Sequence, residues 1–150
     1  EKMQNLANEL NFGLSTVHAL VMPLERVFNH CEGSPDSQTE DLSKNLLVTI
    51  DEGIQASSEK PLPQGVCPFR ENQLNINADL TVPVCCLVFN RNHLVSNNFL
   101  DTSIQDINLN KSNSDICSQC MKLRLPEYNM GFNKEGWKEF AMQKSSTDLS

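Results

Sequence analysis

The sequence predicts an α+β fold in which helices flank a small, loop-rich region that holds a β-hairpin. Apolar residues recur with helical spacing near both ends of the chain, and short alternating apolar runs lie between them. Five of the six cysteines fall between positions 67 and 120, which is also the part with the least regular pattern. A clustering of thiols in a loop-rich region requires an explanation beyond core packing.

Composition limits what the chain can bind. Its 150 residues suffice for one domain, but an apolar fraction of 39% is lean for a globular protein. Nineteen acidic and twelve basic residues give a net charge of −7, and no basic cluster occurs. We expect no nucleic-acid or membrane partner, because both are bound through clustered cations. The apolar stretches are too short for a membrane span and we recognise no signal sequence, so we expect a cytoplasmic location.

The first predicted segment, residues 1–57, begins with one helix and one strand. The apolar residues of positions 3–10 have helical spacing, and the apolar run over 14–21 predicts a buried strand closed by Pro23. A short helix over 24–29 follows. One helix and one strand make a single step of an α/β layer, which forms no sheet alone because parallel strands need covered neighbours.

A second amphipathic helix and a linker complete this segment. Ser37 and Glu40 have the spacing of a capping box. After them the chain carries apolar residues with helical spacing, namely Leu42, Leu46, Leu47, Ile50 and Ile54. Residues 57–65 contain two prolines and predict a linker. We therefore place the internal boundary here, with the second segment at 66–150.

The second segment predicts short elements. Alternating apolar residues over 74–76 and 82–84, joined by a turn at 77–80, predict a β-hairpin. Residues 102–109 predict a short helix capped by Thr102 or Ser103, and residues 134–142 a last helix. The apolar side chains that this last helix is expected to bury are Trp137, Phe140 and Ala141.

Four cysteines have the spacing of a metal centre. Two residues separate Cys117 from Cys120, which lets a tight knuckle direct both sulfurs at one centre. Cys67 precedes the predicted hairpin and Cys85 ends it, so antiparallel pairing brings these two sulfurs together. Four thiolates suit a tetrahedral zinc ion or a four-iron cluster, and ligand softness does not separate the two.

Other interpretations of the chemistry-bearing residues carry less weight. Six cysteines allow three disulfides in a secreted chain, but cytosolic disulfides are rare and no signal sequence supports secretion. Unliganded cysteines are reasonable for Cys31 and Cys86, but not for a Cys-x-x-Cys accompanied by two more. Cys31 beside His30 is not expected to be a catalytic pair, because nothing orients it. We expect His18, His30 and His93 to be structural or solvent-facing.

Residues 66–121 resemble a known auxiliary domain. The resemblance rests on Cys67-Pro68-Phe69, the run from Leu74 to Cys86, Ser96-Asn97-Asn98-Phe99 with Ser103-Ile104-Gln105-Asp106-Ile107, and Cys117-Ser118-Gln119-Cys120. This order is similar to the SPASM domain of radical S-adenosylmethionine enzymes. There a cysteine leads into a hairpin, a Cys or Cys-Cys closes it, a Gly-Asn segment precedes a short helix, and a Cys-x-x-Cys follows. Leu80 and Asn97 stand where that family usually has glycine.

The resemblance implies a specific centre and fold. Because no cysteine follows Cys120, the chain resembles the shortened twitch form, which holds a single [4Fe-4S] cluster. The ligands that it implies are Cys67, Cys85, Cys117 and Cys120, with Cys86 uncoordinated. It also implies that residues 1–57 end a partial TIM barrel.

The resemblance also implies a role as part of a larger enzyme. The auxiliary cluster would serve electron transfer or help to form the pocket for a peptide or other small substrate. The Cys-x-x-x-Cys-x-x-Cys loop that holds the catalytic cluster and S-adenosylmethionine is not in the sequence. We therefore expect this chain to be inactive alone and to be the carboxy-terminal portion of an enzyme whose amino-terminal barrel is its partner. The alternative is a free-standing module with a structural four-cysteine zinc site.

Overall fold

The computed structural model describes residues 2–14, 19–60, 63, 66–131 and 133–147 as a mostly helical α+β fold with one small sheet. The helices are α1 (Lys2–Glu9), α2 (Leu24–Cys31), α3 (Ser37–Asn45), α4 (Ile50–Ser58), α5 (Pro68–Glu71), α6 (Ile104–Ser112), α7 (Asp115–Lys122), α8 (Leu125–Asn129) and α9 (Lys134–Thr147). Strands β1 (Val82–Pro83) and β2 (Leu94–Ser96) pair antiparallel, and 3₁₀ turns occupy Arg91–His93 and Phe99–Asp101. No helix among the described residues is long and apolar enough to cross a bilayer.

Trp137 packs at the junction of α4, α8 and α9. Its ring is fully buried, stacks on Tyr128 with ring centroids 5.6 Å apart, and donates from Nε1 to Ser57 Oγ at 3.1 Å. A β-carbon at Gly53 of α4 would lie 2.4 Å from the Trp137 ring. Only glycine therefore permits this close approach. Because α4 belongs to the first predicted segment and Trp137 to the second, the two segments share one core.

Four predicted helices are confirmed, with shifted ends. They are α1, α2, α6 and α9, predicted over 3–10, 24–29, 102–109 and 134–142. Ser103 caps α6 by accepting a hydrogen bond from Asp106 N at 3.1 Å. As predicted, α9 buries Trp137 and partly buries Phe140 and Ala141.

The predicted helix with apolar residues from Leu42 to Ile54 is two helices, so the prediction of one was wrong. Asp36, rather than Ser37, caps α3. The second helix, α4, is capped by Thr49. Thr49 Oγ1 accepts a hydrogen bond from Glu52 N at 3.3 Å, and Glu52 Oε2 accepts one from Thr49 N at 2.7 Å. This capping box satisfies backbone N–H groups at the new start. The apolar spacing continues through the break, which is why periodicity did not locate it.

The prediction that residues 82–84 pair with residues 74–76 in a hairpin was wrong. A turn does form at 77–80, but β1 pairs with β2, where Val82 lies opposite Ser96. Val82 is fully buried, whereas Leu74 and Ile76 remain exposed. Strand pairing is stabilised mainly by burial and packing of the side chains, and residues 74–76 provide little of either.

The strand predicted over 14–21 lies partly outside the described residues, which omit 15–18. Residues 14 and 19–21 are not in a strand. Val21 is buried, and just beyond it Leu24 N donates to Leu87 O at 2.8 Å, which ties the start of α2 to the loop after β1. The partial barrel therefore stays a prediction.

Gly53→Ala is expected to destabilise the protein by about 1–3 kcal/mol through overpacking. Alanine favours a helix over glycine by about 1 kcal/mol, but its β-carbon would meet Trp137 at 2.4 Å and Tyr128 at 2.8 Å. Chemical denaturation measures the free energy of unfolding. Gln55→Ala, on the exposed face of the same helix, is the matched control and should change it little. A Gly53→Ala protein as stable as wild type would contradict the packing described.

Candidate metal centre

Cys67 lies at the point where the chain enters α5. Pro68 is the first residue of that helix, a position where the missing N–H has no cost. The carbonyl of Cys67 accepts hydrogen bonds from Arg70 N at 3.0 Å and Glu71 N at 2.9 Å. These bonds hold the backbone of Cys67, whose side chain is partly buried.

Cys85 lies two residues after the end of β1. Val84 is fully buried and its N–H donates to His93 O at 3.2 Å, so the sheet extends by one bond toward the cysteine. Cys85 itself is buried at the base of the turn that leads to Val88. The β1–β2 pair, rather than the predicted hairpin, therefore positions this thiol.

The turn before β1 contains a non-glycine residue in a left-handed conformation. Leu80 has φ 65°, a region that favours glycine, and its N–H donates to Asn77 O at 2.9 Å. Asp79 accepts from Thr81 Oγ1 at 2.7 Å and from Arg91 at 2.7 Å. The Thr81 hydroxyl, followed by the Arg91 guanidinium, lowers the pKa of Asp79 to about 2. Leu80 is the position at which the resemblance noted above expects glycine, and the turn forms despite the substitution.

Cys117 and Cys120 lie on α7. The prediction of a tight knuckle is wrong, because the Cys-x-x-Cys is helical. Residues three apart on a helix share a face, so both sulfurs still point to the same side. Cys120 is buried and Cys117 partly buried.

All four predicted ligands line one cavity. Cys67, Cys85, Cys117 and Cys120 contribute to its wall. Two of the remaining lining residues, Arg70 and Asn129, are polar. The others are apolar, namely Leu24, Phe69, Val84, Leu87, Val88, Ile116 and Met121. Its volume is about 20 Å³, enough for one water-sized body. The structure thus brings together thiols from three separate parts of the chain.

The thiols influence one another electrostatically. Burial raises the pKa of Cys85 to about 11. Burial also raises the pKa of Cys120, and negative charge on the other three cysteines of the cavity raises it further. Burial and then Cys67 raise the pKa of Cys117. In the metal-free protein Cys85, Cys117 and Cys120 are therefore protonated at neutral pH, and metal binding would have to release those protons.

Lys111 is a buried cation that the sequence did not point out as part of this site. It is only 1% exposed, and its Nζ donates to the Gln73 carbonyl. Burial lowers the pKa of Lys111, while negative charge on Cys85, Cys117 and Cys67 would raise it. No carboxylate of the described chain lies within 4 Å of this ammonium group. The sequence feature that could have indicated the burial of Lys111 is its position four residues after Ile107, on the same face of α6.

Asn129 is the second residue that sequence reasoning missed. It is 8% exposed and lines the cavity at the end of α8. Its Nδ2 is buried and has no hydrogen-bond partner among the described residues. Buried amide groups almost always have a partner, so this atom requires an explanation. Nothing in the local sequence marks it.

The other two cysteines lie apart from the cavity. Cys86 is exposed, and its Sγ lies 3.5 Å from Gln73 Oε1. Cys31 is exposed at the end of α2. All six cysteines belong to the described residues, and none is in a disulfide. The disulfide alternative has no counterpart in the structure.

His30 has an orienting partner, contrary to expectation. Its Nε2 lies 3.1 Å from both carboxylate oxygens of Asp51. Although the adjacent Cys31 is exposed overall, partial burial of its thiol raises the pKa of Cys31, and Asp51 and then Glu32 raise it further. This environment disfavours the thiolate that nucleophilic chemistry requires. His30 is therefore oriented by Asp51, but Cys31 is not activated.

No three His, Cys, Asp or Glu side chains in the described part of the chain lie close enough to hold a single metal ion as they stand. Comparison with protein-family models, with curated proteins and with solved structures finds no match. The cavity and the residues that line it are therefore the features that indicate a function.

Leu80→Gly is expected to stabilise the protein by up to about 1 kcal/mol. The left-handed conformation costs an L-residue about 1–2 kcal/mol, against about 0.5–1 kcal/mol for the extra chain entropy of glycine. Leu100→Gly is the control, because Leu100 is exposed but has no positive φ, and it should lose stability. Equal losses from both substitutions, measured by denaturation, would contradict the left-handed turn.

Alkylation of the metal-free, reduced protein should follow the burial of the thiols. At pH 8, exposed Cys86 should react much faster than Cys85 or Cys120. A pKa of about 11 gives Cys85 a thiolate fraction about a hundredfold below that of an ordinary cysteine. Raising the pH toward 11 should therefore accelerate labelling of Cys85. Peptide mass spectrometry after timed labelling measures the rates, and equal rates at pH 8 would contradict the buried cavity.

Proposed function

We propose that this chain is the carboxy-terminal, auxiliary-cluster portion of a radical S-adenosylmethionine enzyme. In this proposal Cys67, Cys85, Cys117 and Cys120 hold one [4Fe-4S] cluster. The observation that carries the proposal is the convergence of these four thiols, from three separate parts of the chain, on one cavity. They are the same four cysteines that the resemblance to the twitch form implies.

The chemistry of the cavity fits an anionic thiolate centre. Four thiolates exceed the positive charge of a cluster core, so the ligated centre carries negative charge. Lys111 is buried close enough to three of the thiols to respond to their charge, and Arg70 lies on the cavity wall. A buried ammonium without a carboxylate partner is costly, and an anionic centre offsets that cost. The cavity is small, so a cluster requires the cysteine side chains to move apart.

The cluster, when bound, supplies a site that accepts or donates one electron. The chain's own residues would hold it, exclude water through the apolar wall, and balance its charge. Formation of the substrate radical belongs to the amino-terminal barrel, which would be the partner of this chain and contact a peptide or small-molecule substrate. In this proposal the chain alone is inactive and acts in the cytoplasm.

A structural zinc site is the second candidate, favoured by the small size of the cavity. A volume of about 20 Å³ accepts a single ion more readily than a cluster. Zinc bound by four cysteines stabilises small domains, with about 10–16 kcal/mol of binding free energy in zinc-finger peptides. That contribution would suit a chain with a lean apolar core.

Anaerobic reconstitution with iron and sulfide tests the proposal. Wild type should bind about four irons and four sulfides per chain, with visible sulfur-to-iron charge-transfer absorption. Serine in place of Cys67, Cys85, Cys117 or Cys120 should remove most of the bound iron. Serine in place of Cys31 or Cys86 is the matched control and should leave iron content unchanged, because neither lines the cavity.

Two results would contradict the cluster. A colourless protein with one zinc per chain, lost in the same four variants, would establish the structural-zinc alternative. A protein that binds neither metal would exclude both. The assignment to a radical S-adenosylmethionine enzyme has a separate test. A Cys-x-x-x-Cys-x-x-Cys loop upstream in the complete reading frame supports this assignment, and its absence overturns it.

A further inference from the structure

The end of α8 brings an amide group to the wall of the candidate metal centre. Asn129 is the last residue of α8, which packs against α7, the helix that carries Cys117 and Cys120. The residue is 8% exposed and lines the same cavity as the four thiols. Tyr128, the preceding residue, is fixed by its stacking on Trp137. The backbone that carries Asn129 is therefore held by the core.

Asn129 Nδ2 has two N–H groups and no acceptor among the described residues. An unsatisfied buried donor costs about 1–3 kcal/mol. The side chains around the cavity offer few acceptors, because the wall is otherwise apolar and the Arg70 guanidinium only donates. The thioether of Met121 is a weak acceptor. The sulfurs of an anionic centre held by the four cysteines of the same wall would be strong acceptors.

We propose that Asn129 donates a hydrogen bond from Nδ2 to a sulfur of the metal centre and thereby raises its reduction potential. The inference rests on the proposed function and adds a residue that is not a ligand. A hydrogen bond to sulfur stabilises negative charge, and the reduced cluster carries one more negative charge than the oxidised cluster. The bond therefore strengthens on reduction, which makes reduction more favourable.

The midpoint potential of the reconstituted cluster tests the proposal. Asn129→Leu keeps the approximate shape of the side chain and removes the donor, so it should shift the potential to more negative values. Asn108→Leu makes the same chemical change at an exposed position of α6 and should leave the potential unchanged. Titration followed by visible absorption and by the paramagnetic signal of the reduced cluster gives the potential.

A measurement on wild type covers the case in which Asn129→Leu assembles no cluster. Protein labelled with ¹⁵N only in asparagine, reduced and studied by electron–nuclear double resonance, should show a weak ¹⁵N coupling to the cluster. The coupling should be accompanied by a proton that exchanges in D₂O. Neither depends on the variant folding.

The outcomes separate the two proposals. A more negative potential in Asn129→Leu, or the ¹⁵N coupling in wild type, supports the hydrogen bond. A cluster of normal iron content whose potential is unchanged in Asn129→Leu overturns this inference and leaves the proposed function intact. If Asn129→Leu assembles no cluster, absence of the ¹⁵N coupling in wild type overturns this inference. A wild-type protein without iron overturns the proposed function and this inference together.

Discussion

The close approach of α4 to the Trp137–Tyr128 pair is the contact on which the rest of the structure depends. Gly53 leaves room for both rings, and the Trp137 indole bonds to Ser57 one helical turn further along. This contact fixes α8 against α4, and α8 in turn packs on α7 with its two cysteines. Gly53 thus helps to determine where Cys117 and Cys120 lie, although both are distant from it in sequence.

The sequence predicted the convergence of the four cysteines better than it predicted the scaffold around them, whereas their role as ligands stays a prediction. Cys117 and Cys120 share a face whether they lie in a knuckle or on a helix, so the prediction of their convergence tolerated an error in local structure. Cys85 was assigned to a hairpin that does not form, yet β2 holds the end of β1 in its place. Thiol spacing is a strong local signal, whereas the choice of a partner strand depends on burial that no local pattern reveals.

Two buried polar residues, one near the cavity and one on its wall, escaped prediction for a different reason. Lys111 and Asn129 are ordinary surface residues by type, and only tertiary packing makes them buried. The helix break at Thr49 is similar, because Thr-x-x-Glu was present in the sequence but the apolar spacing around it continued. The loose α+β class and the positions of four helices follow from periodicity, but the environment of each side chain follows from contacts between distant segments.

Cys85 lies on two surfaces of the protein, the wall of the cavity and the wall of a groove. Together with Val88 it lines both the cavity and an open groove of about 450 Å³ formed with Leu74, Ile76 and Phe89. The cavity and the groove share these two residues. A centre bound by Cys85 would therefore lie within one residue of the groove. A redox partner seated in the groove would then come within the length of one side chain of that centre.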